Sequence, residues 1–248
     1  MFARVLLATC VVVSGGAYAA APARAADLSG KIIAIDPGHQ RGNSNPQFSR
    51  EVNRKKFNGS IRKVCNTSGT ATNKGFPEST FNWRVAQQLR TNLEAQGARV
   101  VLTRDSDSYE EWGPCAWDRP LVANAAGADV FISIHADGAP ARASGFHVIA
   151  PSRVKGYTDD ISKESRVLAR KMIAGMKDAG AKPATYIAGA LSVRGDQSTL
   201  NFSDVPAVVV ELGNMRNRKE ARAMSSRAGQ KFYADALAAG INRYFADQ

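Results

Sequence analysis

Residues 31–39, KIIAIDPGH, decide the reading of this chain. Ile32 to Ile35 form a β-branched apolar run, and Asp36-Pro37-Gly38 is a turn signal behind it. The stretch predicts a buried strand over 31–35 whose carboxyl end delivers His39. FISIHAD (131–137) repeats the arrangement, with a strand predicted over 129–136 and His135 close to its end. Between the two, Phe81, Val85, Leu89 and Leu93 recur at four-residue spacing and predict an amphipathic helix over 78–96. Gly97 ends it, and ARVVLTR (98–104) reads as the next strand. Downstream, the pattern predicts a short helix over 117–126, a strand over 145–151, a helix over 160–179, a buried strand over 205–212 and a terminal helix over 219–245. Strands that alternate with helices imply an α/β fold: a single domain with a mostly parallel twisted sheet and helices on both faces. Residues 40–77 are polar and aperiodic, which predicts a long functional loop.

The amino terminus reads as an export signal. Arg4 supplies a positive n-region, Val5 to Val13 a short apolar h-region, and Ala17-Tyr18-Ala19 and Ala23-Arg24-Ala25 two A-x-A cleavage patterns. We therefore expect residues 1–25 to be a cleaved signal peptide and residues 26–248 to be the mature domain, exported to the periplasm or the cell wall. An uncleaved anchor, or lipidation at Cys10, is the alternative. No other stretch is long and apolar enough to span a bilayer, so no stable membrane anchor is expected. Loss of Cys10 leaves Cys65 and Cys115, an even pair in an oxidising compartment. A disulfide is the expected reading, and two further metal ligands the competing one. The formal net charge is +11, and removal of Arg4 and Arg24 takes it to +9. The excess suits an anionic partner such as a wall polymer, or lipid head groups. Nucleic acid is not expected, because no recognition motif accompanies the charge. The basic runs 50–63 and 216–227 read equally well as solvated surface.

The chemistry gathers at strand ends, where open α/β sheets collect their ligands. His39, Glu78 and His135 form a His2Glu set, one of the known catalytic zinc sets, with a fourth position left for water. Glu78 opens a helix after Pro77, and it is also simply a favourable acid in a first turn. Glu211 ends the apolar run Ala207–Val210, where an unpartnered carboxylate is costly. It is the candidate general base, with a salt bridge to a basic residue of 216–222 as its structural alternative. Asp137, two residues beyond His135, is a candidate to orient an imidazole. His147 lies inside a strand, and its facing is open.

IAIDPGH, the helix-opening glutamate of ESTFNWRVAQQLRTNLEAQGARVVLTR, ISIHAD and PAVVVELGNMRN occur in this order across residues 31–245. Together they resemble the zinc-dependent N-acetylmuramoyl-L-alanine amidases of the amidase_3 family. The resemblance implies one Zn2+ per chain on His39, Glu78 and His135, with Glu211 as the catalytic glutamate. It implies cleavage of the amide between N-acetylmuramic acid and the L-alanine of the stem peptide, in peptidoglycan or muropeptide fragments. It also places Arg194 in a region that lines the substrate cleft. The long loop with its Cys65 and Cys115 pair looks like the actinobacterial, mycobacterial-type members. The chain departs from the family at Gln40-Arg41, where Gly-Gly is usual, at Asp137, where Asn is usual, and at residues 213–217. Segment 180–204 is short and polar, so no regulatory helical insertion is expected there. A monomer is expected. Two other readings stand beside this one: a non-catalytic wall-binding or regulatory protein of the same fold, and a zinc peptidase cutting within the stem peptide.

Overall fold

The computed structural model describes residues 26–246, so the predicted signal peptide lies outside the described residues. The chain runs through β1 (Ile32–Pro37) into two 3-10 turns and the short helix α1 (Ser49–Val52). An antiparallel hairpin follows, β2 (Lys55–Phe57) and β3 (Arg62–Val64). Then come α2 (Glu78–Glu94), β4 (Arg99–Leu102), α3 (Arg119–Ala126) and β5 (Val130–Asp137). The second half holds β6 (His147–Pro151), α4 (Ser162–Asp178), β7 (Leu191–Arg194), α5 (Ser198–Asn201), β8 (Ala207–Asn214), α6 (Arg218–Met224) and α7 (Arg227–Phe245).

Six strands form one sheet in the order β4-β1-β5-β8-β6-β7. The pairs β4/β1, β1/β5 and β5/β8 are parallel, while β6 is antiparallel to β8. The sheet is thus mostly parallel, as expected, with β6 and β7 reversed at one side. Strand alternation divides the side chains between two faces. Ile33, Ile35, Ile132, Ile134, Val208 and Val210 join Phe81, Leu168 and Leu237 in the larger core, beneath α2, α4 and α7. Ala34, Phe131, Ile149, Ala207 and Val209 face the other way, onto Ala123 of α3 and Leu200 of α5. By the same alternation Asp36, Ser133, His135, His147 and Glu211 all fall on this second, more thinly covered face.

Three elements differ from expectation. The aperiodic stretch 40–77 is built from helical turns and the β2/β3 hairpin, each too short to leave a period in the sequence. The polar stretch 180–204 contains the edge strand β7 and the four-residue α5. The terminal helix is two helices, because Ser226 caps a new one by accepting from the Gly229 amide at 3.0 Å. Cys65 and Cys115 are joined as a disulfide, packed beside Trp117. The bridge ties the hairpin region to the segment before α3 and closes a 50-residue separation.

Candidate metal centre and cleft

The turn that carries His39 is braced by buried charges and hydroxyls. Asp36, wholly buried, accepts from Arg119 at 2.6 Å, from the Ser133 hydroxyl at 2.6 Å and from the Thr103 hydroxyl at 2.5 Å. Burial pushes the Asp36 carboxyl up, but Arg119 and the two hydroxyls outweigh it and hold the group below its ordinary value. Arg119 also donates to the carbonyls of Pro37 (2.9 Å) and His39 (2.8 Å). Arg104 donates to the same Pro37 carbonyl at 2.8 Å and to Ser79 of α2 at 2.9 Å. These bonds offset a real backbone cost, because His39 sits at φ +62, the left-handed region that a side chain disfavours.

His39, Glu78 and His135 converge, as the sequence predicts, and their donor atoms all lie within 4.8 Å of one another. Glu78 Oε1 is 3.2 Å from His39 Nε2 and 3.0 Å from His135 Nδ1. The two imidazoles meet nearly edge to face, with centroids 4.7 Å apart. Parallel pairing explains the meeting: Pro37 lies opposite Ile134, so both histidines leave the same edge of neighbouring strands. Glu78 is the first residue of α2, where the helix terminus favours an anion. Its carboxylate is fixed by the amides of Thr70 (2.8 Å) and Ala136 (3.1 Å). Burial would lift this carboxyl, but the flanking imidazoles hold it well below the usual range. His39 Nδ1 lies 2.9 Å from the Thr67 carbonyl, an acceptor that fixes a proton on Nδ1 and turns Nε2 towards Glu78. Gly38 lies so close to His135 that a Cβ there would stand 2.2 Å from its Nε2.

Glu211 stands directly opposite His135 in the β5/β8 register. Its Oε2 is buried with no hydrogen-bond partner. Burial raises its carboxyl well above the ordinary value, Glu78 and Asp137 add to the rise, and Arg194 opposes it. On its other side the antiparallel β6 places His147 opposite Glu211. This answers the open question of His147: it faces the cleft side, buried, with an unpartnered Nδ1 and its ring edge-on to Tyr186 at 5.7 Å. Burial keeps its pKa below the ordinary value, hence neutral at pH 7.

Asp137 does not take the orienting role expected of it. Its carboxylate accepts from the Tyr186 hydroxyl at 3.0 Å and from the Gly138 amide at 2.6 Å, because the strand end turns it towards the 181–190 loop. Thr67, from the long loop, makes the orienting contact to His39 instead. Arg194 lies in the same cleft of about 280 Å3 as His39, His135 and Glu211. It pairs with Asp196 at 2.7 Å, and Lys63 of β3 reaches the same carboxylate at 3.4 Å. Sequence reasoning missed Asp36, Arg104, Arg119 and Thr67. Arg104 and Arg119 left one signal, each being a charge at the edge of an otherwise apolar or tightly turned segment.

Comparison with known proteins gives the family. Residues 33–243 match the family described as Amidase_3, N-acetylmuramoyl-L-alanine amidase. The chain is 36% identical over 229 residues to the N-acetylmuramoyl-L-alanine amidase Rv3717 of Mycobacterium tuberculosis, covering 92% of each protein. Among solved structures it is similar to the amidase Ami1 of Mycobacterium smegmatis, with a TM-score of 0.82 and 34% identity over 90% of this chain and 100% of that one. The apo Ami1 of Mycobacterium abscessus gives a TM-score of 0.80 at 37% identity, over 88% of this chain and 99% of that one.

Proposed function

The chain belongs to the N-acetylmuramoyl-L-alanine amidase family, and from that premise we propose that it is a zinc-dependent peptidoglycan amidase with Glu211 as its proton-transferring group. The observation that carries the reading is the convergence of two imidazole nitrogens and one carboxylate oxygen beside an unpartnered buried carboxyl. Zinc suits that donor set, which is the His2Glu type that leaves a position open. Bound there, the ion supplies a Lewis acid for the scissile carbonyl and lowers the pKa of water. His39, Glu78 and His135 hold it, and Arg119 and Thr67 keep His39 oriented for the task.

Glu211 does the proton work. In its carboxylate form it takes a proton from the attacking water as the new C–O bond forms. The protonated acid then gives that proton to the amide nitrogen as the C–N bond breaks. The products are a lactyl carboxylate on the sugar and a free amine on L-alanine. A raised pKa suits both halves of the cycle, because the acid form is then a competent donor near neutral pH. Arg194 and Lys63 share one carboxylate, Asp196, which leaves a positive excess at the cleft. That excess suits the carboxylates of a stem peptide, with Arg194 as the contact. Residues 1–25 direct export, and the mature domain works on the wall outside the cytoplasm.

Mass spectrometry of digested muropeptides, with and without a chelator, tests this reading. The expected products are intact stem peptides and peptide-free disaccharides, both absent under chelation. Shortened peptides still attached to sugar would replace it with the peptidase reading. Binding without release would favour the non-catalytic one.

A further inference from the structure

Two cavities outside the metal cleft share a wall. One, of about 520 Å3, lies between α2 and the 105–114 loop, with Trp83, Gln87, Arg90, Asp105, Glu111 and Trp112 around it. The other, of about 660 Å3, continues from Trp83 and Gln87 to Arg227 and Lys231 at the start of α7. The first cavity also reaches Gln40, the residue that follows His39. The first forms a furrow along α2, and Trp83 and Gln87 stand between it and the second.

The lining has a specific chemistry. Trp83 and Trp112 are both half-buried. Each carries a guanidinium on its ring: Arg104 over Trp83 at 5.1 Å and Arg54 over Trp112 at 5.6 Å. Arginine stacked on an indole stiffens it as a flat platform. The polar groups of the first cavity are mixed in sign, Arg90 and Arg104 with Asp105 and Glu111, and Arg90 pairs with Glu94 at 2.8 Å, whereas the second carries Arg84, Arg227 and Lys231 and no acid. The first cavity, balanced in charge and walled by two indoles, does not select a polyanion. It suits a neutral, hydroxyl-rich chain whose rings present C–H faces for stacking and hydroxyls for the rim. The metal cleft, by contrast, has its positive excess at Arg194 and Lys63 and shares no lining residue with the furrow.

We propose that this furrow binds the glycan strand of peptidoglycan, with Trp83 and Trp112 as stacking platforms for its N-acetylated sugars. The inference rests on the amidase reading for its choice of sugar polymer. The amide to be cut joins a sugar to a peptide, so the substrate must leave the metal site in two directions. The stem peptide takes the basic cleft, and the sugar chain takes the furrow. The furrow thereby favours polymer over short fragments.

The test uses strands of alternating N-acetylglucosamine and N-acetylmuramic acid already freed of peptide, which an amidase has no bond to cut. Calorimetry and tryptophan emission follow their titration into the full protein. We expect saturable binding, weakened tenfold or more in Trp83→Ala and largely restored in Trp83→Phe. Gln87→Ala, at a wall residue shared by both cavities, should weaken binding by several-fold. Absence of binding by the wild type, or wild-type binding by both Trp83→Ala and Gln87→Ala, overturns the proposal. Binding that persists in a protein unable to cut any muramoyl amide would retain the furrow and discard the amidase reading, so the two failures are separable.

Discussion

Gly38→Ala probes the placement of His135 with a single methyl group. The glycine backbone lies outside the positive-φ set, so alanine brings no dihedral strain there. Its cost is contact: the added Cβ would fall 2.2, 2.3 and 2.7 Å from Nε2, Cε1 and Cδ2 of His135. An ordinary carbon contact needs about 3.5 Å, so the ring or the turn must give by about 1 Å. The turn is held by Arg104 and Arg119 through the Pro37 and His39 carbonyls, and by the Gly38 amide to Ile134 at 2.9 Å. The ring, partly exposed, is therefore the part that moves, and it leaves its 3.0 Å approach to Glu78. A misplacement of about 1 Å in a working site costs on the order of 100-fold in rate, and overpacking costs about 1–3 kcal/mol in stability. Chelator competition should report zinc affinity lowered by about 10–100-fold, kcat/KM for a muramoyl peptide should fall by about 100-fold, and the fold should persist by circular dichroism. A folded Gly38→Ala protein with wild-type zinc affinity and turnover would refute the packing argument.

Four further outcomes follow from the same geometry. Glu211→Gln should keep zinc while losing about 10²–10⁴ in kcat, read by metal analysis beside single-turnover hydrolysis. The base form of Glu211 is populated only above its raised pKa, so kcat/KM should fall on the acid side at a pH above the usual carboxylate range. Asp137→Asn removes one charge that raises it and should move that limb to lower pH; an unmoved limb would deny Glu211 the role. Asp36→Asn leaves Arg119 buried without its counter-charge, a loss of about 3–5 kcal/mol in urea unfolding. Because the Asp36 pKa is lowered in the fold, its stabilisation is complete above the unfolded value of about 3.9 and fades as pH falls through the folded one. Wild-type melts should therefore lose this contribution only at strongly acid pH, and Asp36→Asn should lack it throughout. Reducing Cys65–Cys115 should cost up to about 4 kcal/mol in the chain-entropy model and weaken zinc affinity, since the Thr67 carbonyl on His39 lies two residues beyond the bridge.

How much of this was legible in the sequence depends on the range of the forces involved. The apolar runs of β1, β5 and β8 predict buried strands whose ends deliver His39, His135 and Glu211 to one edge, but they carry no period of two, because both faces of the sheet are covered. Glu78 was readable from Pro77 and the apolar stripe of α2. His147 was not, since its neighbour across the sheet depends on β6 running antiparallel to β8, and no local pattern encodes strand direction. The braces of the turn were not readable either. Arg119 meets Asp36 across 83 residues and Arg104 meets Pro37 across 67, and charge pairing at that distance leaves no periodic trace. Asp137 misled for a related reason: alternation put it on the face of His135, but the strand end turned it to Tyr186.

The proposed hydrolysis depends on one ion held by three side chains remote in sequence. The most direct measurement is zinc titration into metal-free protein, with stoichiometry and amide hydrolysis followed together. One equivalent should bind and restore activity in the wild type, and His39→Ala and His135→Ala should each lose both. Hydrolysis that proceeds undiminished in the metal-free protein, or full zinc loading in either histidine variant, would contradict it.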